Sequence, residues 1–243
     1  MQLSLLQWNV WFEEDIERVL GFLRQHPTDV ICLQELTSGY SRQKHANTWE
    51  YLARELGYSV HYQAVPVRTP EAEWQQANAI LSRFPIVSTA SHWIHEPVSV
   101  DDQPRSYVEA VLDIGGTPVT VATTHLSFAK QFALTPAKKA EVDRLTALVD
   151  ATRGPYVLTG DLNDLPDSYC VSELMARLDH AGPPLTQNTW TTKPFIFPDF
   201  EATGLDWRLD YVFCKGLKVD DSKIIMTDVS DHLPIAVSLS IQP

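Results

Sequence analysis

Residues Tyr156–Asp164, with the sequence YVLTGDLND, form a short apolar run that ends directly at two polar residues, Asp161 and Asn163. The run has the length and apolar composition of a buried strand. Polar side chains at the end of such a strand emerge at the edge of a sheet, where they can converge with others. The segment therefore predicts a sheet that carries chemically active groups at one edge.

The same arrangement recurs along the chain, because other acids, amides and histidines also stand at the ends of apolar runs. These residues are Asn9 in QWNV, Glu35 in ICLQE, His125 in VATTHL, Asp210 in RLDYVF, and Asp231 with His232 in SDHLPI. Each one alone is compatible with a solvated turn, since Asp and Asn side chains mimic backbone turns. Their common position at strand ends instead predicts one shared site.

Hydrophobic periodicity divides the chain into strands and helices. Strands are predicted at Leu3–Val10, Val30–Gln34, Tyr58–Gln63, Ala79–Ser82, Ile86–Ile94, Tyr107–Ile114, Val119–Thr124, Tyr156–Thr159, Trp207–Cys214 and Leu233–Ile241. Helices are predicted at Ile16–Gln25, Thr48–Leu56, Ala137–Thr152 and Ser168–Leu178. This mixture predicts an α/β sandwich in which helices cover largely antiparallel sheets. Two segments, Thr69–Gln76 and Gly182–Asp206, have no predicted element and are long enough to be functional loops.

Composition indicates a folded protein with an acidic surface. The chain has 243 residues, of which 44% are hydrophobic and 21% charged, and its formal net charge is -12. No linker or repeat divides the sequence, so a single domain over residues 1–243 is predicted. The charge argues against a protein that coats nucleic acid without sequence preference. It is compatible with a metal-dependent enzyme, because a bound divalent cation reverses the field of clustered carboxylates.

Three widely spaced cysteines, Cys32, Cys170 and Cys214, form neither a zinc motif nor a disulfide framework. The first residues, MQLSLLQWNV, lack the basic and apolar regions of a signal peptide. No apolar run approaches the ~20 residues needed to span a bilayer. We therefore expect a cytoplasmic protein without membrane insertion, and nothing in the sequence indicates an obligate protein partner.

Seven motifs in a fixed order resemble the endonuclease/exonuclease/phosphatase family. The motifs are WNV, LQE, NAILSRFPI, THL, GDLND, RLDYVF and SDHLPI, and the similarity extends from Leu3 to about Leu239. The resemblance implies a four-layer α/β sandwich of two packed, mixed and largely antiparallel β-sheets flanked by helices. It also implies a hydrolase of phosphate esters that depends on Mg²⁺, with Mn²⁺ as a substitute.

The resemblance implies a metal site made of Glu35 as the principal ligand, helped by Asn9 and Asp231. Carboxylate and amide oxygens without sulfur or imidazole suit Mg²⁺ or Mn²⁺ rather than zinc.

The resemblance assigns catalytic roles to five further residues. Asp161 would orient or deprotonate the attacking water, and Asn163 would position that water or the phosphate. His125 would donate to a phosphate oxygen. Asp210 would fix the tautomer of His232 and favour its imidazolium form.

The chain departs from the family at Trp11, because apurinic endonucleases and tyrosyl-DNA phosphodiesterases carry an acid at that point. Trp11 is compatible with a core position, a rim position or a role in shaping the pocket. Arg105 stands where several members place an arginine that faces the phosphate, although a solvated strand-edge arginine has the same sequence signature. A second acid–histidine pair would require Glu71 or Glu73, and the sequence does not choose between them.

Aromatic residues in the loop from Thr189 to Trp207 bear on the substrate. They are Trp190, Phe195, Phe197 and Phe200. Their pattern fits two roles. They could stack on bases, with Trp190 as a substrate-binding residue, or they could cover a sheet edge. The predicted function is hydrolysis of a phosphodiester in nucleic acid or a nucleotide-like substrate. Hydrolysis of small or lipid-derived phosphate esters, or a binding module without catalysis, are the alternatives.

Overall fold

Helices separate the first strands of the chain, and strands predominate in its middle part. The computed structural model describes residues 1–68, 72–96, 103–197 and 200–241. Its strands are β1 (Gln2–Asn9), β2 (Val30–Ser38), β3 (Ser59–Arg68), β4 (Glu73–Ser82), β5 (Ile86–His95), β6 (Arg105–Ile114), β7 (Thr117–His125), β8 (Tyr156–Asp161), β9 (Asp179–His180), β10 (Phe195–Phe197), β11 (Phe200–Ala202), β12 (Asp210–Lys215), β13 (Leu217–Ile224) and β14 (Ile235–Ile241). Its helices are α1 (Ile16–Gln25), α2 (Thr48–Leu56), α3 (Pro136–Ala151) and α4 (Tyr169–Met175).

Two mixed sheets of six strands each form the centre of the described structure. The first sheet has the strand order β13-β14-β1-β2-β4-β3, and the second has the order β5-β6-β7-β8-β12-β9. Each sheet contains one parallel pair, β1 with β2 and β7 with β8, and its other neighbours are antiparallel. The predicted mixture of sheets is therefore confirmed.

Three apolar layers hold the sandwich together. Side chains from both sheets, among them Leu5 and Val212, meet between the sheets. Trp8 on the outer face of the first sheet packs with residues of α1 and α2, and Phe213 on the outer face of the second sheet packs with residues of α3 and α4. The order helix, sheet, sheet, helix confirms the predicted four-layer sandwich. Within the described ranges, no helix combines the length and the apolar character needed to cross a bilayer.

The two parallel pairs determine where the polar strand ends meet. A parallel pair requires a crossover, which α1 provides between β1 and β2 and α3 between β7 and β8. Parallel strands end at the same edge of their sheet. The Asn9 side chain at the end of β1 donates to Asp161 at the end of β8. The polar ends of both parallel pairs therefore face each other across the two sheets.

The structure differs from the predicted elements mainly in the irregular segments. The strand predicted at Ala79–Ser82 begins at Glu73, so part of Thr69–Gln76 belongs to β4. The segment Gly182–Asp206 contains the hairpin β10–β11. Strand β13 was missed because its alternating polar residues, exposed on one face at the sheet edge, resemble a loop in sequence.

Candidate active site between the two sheets

The predicted catalytic and metal-binding residues lie together at one end of the space between the sheets. Asn9, His125 and Asp161 end β1, β7 and β8, and Asp210 begins β12 directly opposite Asp161 in the antiparallel register. The remaining members are Glu35 in β2, Asn163 just after β8, and Asp231 with His232 just before β14.

Side-chain alternation explains why these strand-end groups point inward. Leu5 of β1 and Val157 of β8 pack between the sheets. Alternate residues of a strand share a face, so Asn9 and Asp161, each four residues further on, point into the same space. Each strand is therefore apolar where the sheets pack tightly and polar where the space between them opens.

Glu35 reaches this space through a local distortion of β2. Its neighbour Leu33 packs with the helices on the outer face of the first sheet, and regular alternation would place Glu35 on that face. The register of β2 against β4 shifts between Leu33 and Leu36, and Glu35 has a φ of 63°. The bulge in the left-handed region turns the carboxylate toward Asn9, whose Nδ2 lies 3.0 Å from Glu35 Oε1.

Asn9 connects the two halves of the site. Its Nδ2 donates to Glu35 Oε1 and to Asp161 Oδ2, both at 3.0 Å, and its Oδ1 accepts from the Trp11 backbone N–H at 3.0 Å. The side chain therefore orients two carboxylates that come from different sheets. Its oxygen is engaged by the backbone in this arrangement, and its role as a metal ligand remains a prediction.

Asp210 and His232 form a buried ion pair. His232 Nδ1 lies 2.8 Å from Asp210 Oδ2, and His232 Nε2 lies 3.6 Å from Asp161 Oδ2. Burial alone lowers the pKa of His232, but the carboxylates of Asp210, Asp161 and Asp231 outweigh it and hold the pKa well above its usual value. Ligand atoms of Asp161, Asp210 and His232 lie within 4.8 Å of one another. Because Asp210 already accepts from the imidazolium, we interpret this group as a charge pair rather than a metal centre.

His125 is held in one tautomer by Asn163. Asn163 Nδ2 donates to the Leu126 carbonyl at 3.0 Å, which sets the orientation of the amide, and lies 3.0 Å from His125 Nε2. Nε2 must then accept, so the proton resides on Nδ1. Burial, with a smaller contribution from Arg105, places the pKa of His125 well below its usual value. His125 could therefore donate to phosphate only through Nδ1, or through Nε2 after the Asn163 amide is displaced. This role stays a prediction.

The site carries more negative than positive charge. Four carboxyl groups, those of Glu35, Asp161, Asp210 and Asp231, lie near two cationic groups, the imidazolium of His232 and the guanidinium of Arg105. Burial raises the pKa of Glu35, and the nearby Asp231 carboxylate raises it further. Burial also raises the pKa of Asp161. The oxygen atoms of Glu35 and Asp231 are donors that suit a hard divalent cation.

Trp190 supports the carboxylate of Asp231. Its Nε1 donates to Asp231 Oδ2 at 3.0 Å, and its side chain is only 5% exposed. The indole forms part of the wall of the site, but its polar edge orients Asp231. The role of Trp190 in substrate binding remains a prediction.

A cleft with a volume of about 320 Å³ opens above the carboxylates. Its polar lining includes Glu35, Asp161 and Asp231, together with Arg105 from the start of β6. Its remaining walls are largely aromatic and comprise Trp11, Phe12, Trp74, Phe128, Trp190 and Phe195. The structure thus places Arg105 beside the predicted catalytic groups.

Other candidates from the sequence lie elsewhere. Glu71 is outside the described residues. Glu73 is exposed and pairs with Arg68 at 3.4 Å, away from the cleft lining. Phe200 packs in an apolar cluster with Trp207 and Leu209, as expected for coverage of a sheet edge, whereas Phe195 contacts this cluster and also lines the cleft.

Two groups behind the site are not among the residues predicted from the sequence. Gln7 and Gln34 are fully buried and exchange hydrogen bonds at 2.5 and 3.0 Å, and Gln7 also reaches Asp210 at 3.5 Å. For both residues, a glutamine inside an apolar strand is a signal in the sequence that indicates a buried polar group. Lys138 of α3 donates to the carbonyls of Ser127 and Leu162 at 2.8 and 2.6 Å. Its position in a helix that carries many charged residues offers no such signal.

Comparison with protein families gives one match over most of the chain. The model of the endonuclease/exonuclease/phosphatase family matches residues 6–232. A curated relative, a UPF0294 protein of Vibrio vulnificus, is 32% identical over 104 residues, which are 42% of this chain and 33% of the relative. The match thus spans about a third of that relative's length.

Solved structures resemble this fold over nearly the whole chain. An endonuclease/exonuclease/phosphatase from Beutenbergia cavernae superposes with a TM-score of 0.78 and 24% identity, covering 99% of this chain and 72% of that one. A protein of the same family from Leptotrichia buccalis superposes with a TM-score of 0.75 and 18% identity, covering 98% of this chain and 99% of that one. At these identities the likeness concerns the fold.

Proposed function

The chain belongs to the endonuclease/exonuclease/phosphatase family, and on that premise we propose that it is a Mg²⁺-dependent phosphodiesterase acting on nucleic acid or a nucleotide-like diester. Members of this family hydrolyse phosphate esters. The observation that carries the proposal is the buried Asp210–His232 pair, whose Nε2 lies 3.6 Å from Asp161 Oδ2 beside Glu35 and Asp231. One cleft thus contains a cation (His232), a base (Asp161) and two proposed metal ligands (Glu35 and Asp231).

Glu35 and Asp231 would hold the metal ion, with Asn9 as the predicted third member. When bound, Mg²⁺ or Mn²⁺ would supply positive charge that offsets the charge developing on the phosphate oxygens. Asn9 keeps Glu35 and Asp161 in fixed orientations through its amide nitrogen. Trp190 does the same for Asp231.

Asp161 is the proposed proton acceptor for the attacking water. Its Oδ1 accepts from the Asn163 backbone N–H at 2.9 Å, and its Oδ2 accepts from Asn9. The raised pKa of this carboxyl makes it a stronger base than an exposed aspartate. Asn163, held by the Leu126 carbonyl, would keep the substrate and water in register with Asp161.

His232 is the proposed donor to the phosphate. Asp210 holds Nδ1, so Nε2 carries a proton that faces the cleft and can be shared with an oxygen of the transition state. His125, which is neutral, and the positively charged Arg105 line the same cleft and would contact the remaining phosphate oxygens. Losing one such donor typically costs about 10²–10³ in rate.

The substrate proposal depends on charge as well as chemistry. A net charge of -12 disfavours long polyanions that bind through their backbone, so short or single-stranded substrates fit better than duplex DNA. The alternative is a hydrolase of small or lipid-derived phosphate esters, which the apolar walls of the cleft would also accommodate. The three cysteines are free and buried, which suits the proposed cytoplasmic location.

Cleavage of end-labelled single- and double-stranded oligonucleotides with Mg²⁺ tests the proposal. The controls are EDTA, the variant His232→Ala, and the matched variant His45→Ala, whose histidine pairs with Glu17 and does not line the cleft. We expect metal-dependent cleavage by wild type and His45→Ala that is lost in His232→Ala.

Two other results would change the assignment. Intact oligonucleotides together with hydrolysis of bis(p-nitrophenyl) phosphate would favour the small-ester alternative. Absence of hydrolysis together with absence of Mn²⁺ binding by calorimetry would favour a binding module that has only the fold.

A further inference from the structure

We propose that Trp11 is a stacking platform for a planar aromatic group of the substrate, attached next to the scissile phosphate. The inference deepens the proposed function, because it assigns the chemical class of the substrate's flanking group. It concerns the position at which the chain departs from the acid of related nucleases. The evidence is the way in which the indole is held beside the carboxylates.

The backbone of Trp11 is coupled directly to the site. Trp11 has a φ of 56°, in the left-handed region that non-glycine residues seldom adopt. Its N–H donates to Asn9 Oδ1 at 3.0 Å, and the next N–H, of Phe12, donates to Glu35 Oε2 at 3.1 Å. The two polar side chains thus hold the loop in this strained conformation and place the indole at the edge of the cleft.

One face of the indole is already covered. Lys193 Nζ lies over the Trp11 ring, 4.5 Å from its centroid. The amino group is itself held by Glu14 Oε2 at 2.5 Å and by the Val229 carbonyl at 2.8 Å. A cation–π contact with a doubly anchored lysine immobilises the ring before any substrate binds. Binding would then cost little ordering entropy.

The indole also borders the cleft. Trp11 lines the cleft and is only half-buried. Its environment is aromatic, since Phe12 stacks on Trp74 with a centroid distance of 5.2 Å, and Phe128 and Phe195 line the same cleft. Such walls match a flat ring better than a hydroxylated sugar or a chain of phosphates.

Calorimetric binding of two phosphomonoesters tests the inference without requiring turnover. Adenosine 5′-monophosphate and ribose 5-phosphate share the sugar phosphate and differ in the base. We expect wild type, with Mn²⁺ present, to bind the nucleotide between about fivefold and about 140-fold more tightly, the range that corresponds to one base stack. Trp11→Leu should abolish this preference, and Trp11→Phe should retain most of it.

Trp93→Leu is the matched control, because Trp93 lies on β5, is 42% exposed and does not line the cleft. It should keep the full preference. Equal affinity of wild type for the two compounds, or an unchanged ratio in Trp11→Leu, would overturn the inference.

Hydrolysis of bis(p-nitrophenyl) phosphate by wild type is measured in parallel. A base preference that depends on Trp11 in a protein that hydrolyses no diester would support the inference and refute the proposed function. Hydrolysis without the base preference would support the proposed function and refute the inference about Trp11.

Discussion

Replacing Lys138 by methionine removes an amino group that ties together the two loops of the site. Lys138 is 2% exposed, and its Nζ donates to the Ser127 carbonyl after β7 and to the Leu162 carbonyl after β8. A third, longer contact of 3.4 Å reaches the Asn163 carbonyl. His125 and Asp161 end the strands that lead into these loops, and Asn163 lies in the second loop, so the perturbation affects stability and catalytic geometry together.

The structure gives the size of the stability change. Hydrogen bonds from a charged donor contribute about 1.5–3 kcal/mol each. The two short contacts, at 2.8 and 2.6 Å, therefore represent about 3–6 kcal/mol in total. Burial lowers the pKa of Lys138, which reflects the cost of removing its charge from water, and methionine avoids that cost. We expect a net loss of roughly 3 kcal/mol in the free energy of unfolding.

Urea unfolding followed by tryptophan fluorescence measures this loss, and hydrolysis under conditions where the variant stays folded measures catalysis. We expect kcat to fall about 10- to 100-fold, because small displacements of catalytic groups are costly, with a smaller change in KM. Lys139→Met is the matched control, since the neighbouring Lys139 is 51% exposed and pairs with the exposed Asp143. Its unfolding midpoint and kcat should match wild type.

The reasoning would be refuted by a Lys138→Met variant that loses less than about 1 kcal/mol, the contribution of a single ordinary hydrogen bond, and keeps its kcat. A variant that loses stability but retains full kcat when folded would separate the two effects. It would show that the loops hold their geometry without the amino group.

Three further predictions concern charge in the cleft. Glu35→Gln should weaken Mn²⁺ binding in calorimetry by tenfold or more while the surface variant Glu50→Gln does not, and equal affinities would argue against Glu35 as a ligand. Because the pKa values of Glu35 and Asp161 are raised, the metal-free fold holds these protons more tightly than the unfolded chain. Stability is fully present below the ordinary carboxyl pKa and is lost as the pH rises from there through the raised values. Mn²⁺ should therefore raise Tm more at pH 7.5 than at pH 5.5, and the opposite order would contradict the assignment. Asp210→Asn removes the partner that stabilises the His232 imidazolium, so it should lower phosphodiester hydrolysis about 10²–10³-fold. His232→Ala and Asp161→Asn should have the same effect, and the circular dichroism of all three variants should be unchanged. Near-normal turnover would exclude these roles.

The layers of the fold follow closely from sequence pattern. Apolar residues such as Leu5 and Trp8 alternate between two faces of one strand, and the structure packs the first between the sheets and the second against the helices. The period of two in strands and the longer period in helices express which side of each element meets water, and this information is local. The edge strand β13 escaped prediction because only one of its faces is buried.

The sequence by itself determined which groups meet at the site, since Asn9, Asp161, Asp210 and His232 follow or precede apolar strands whose ends must meet at a sheet edge. Only the tertiary structure decided how those groups are used. The bulge that turns Glu35 inward, the amide that sets the tautomer of His125, and the contact between Asn9 and Asp161, which are 152 residues apart, depend on partners from different strands. The orientation and protonation of a buried polar group depend on all its neighbours at once, and the folded chain alone brings those neighbours together.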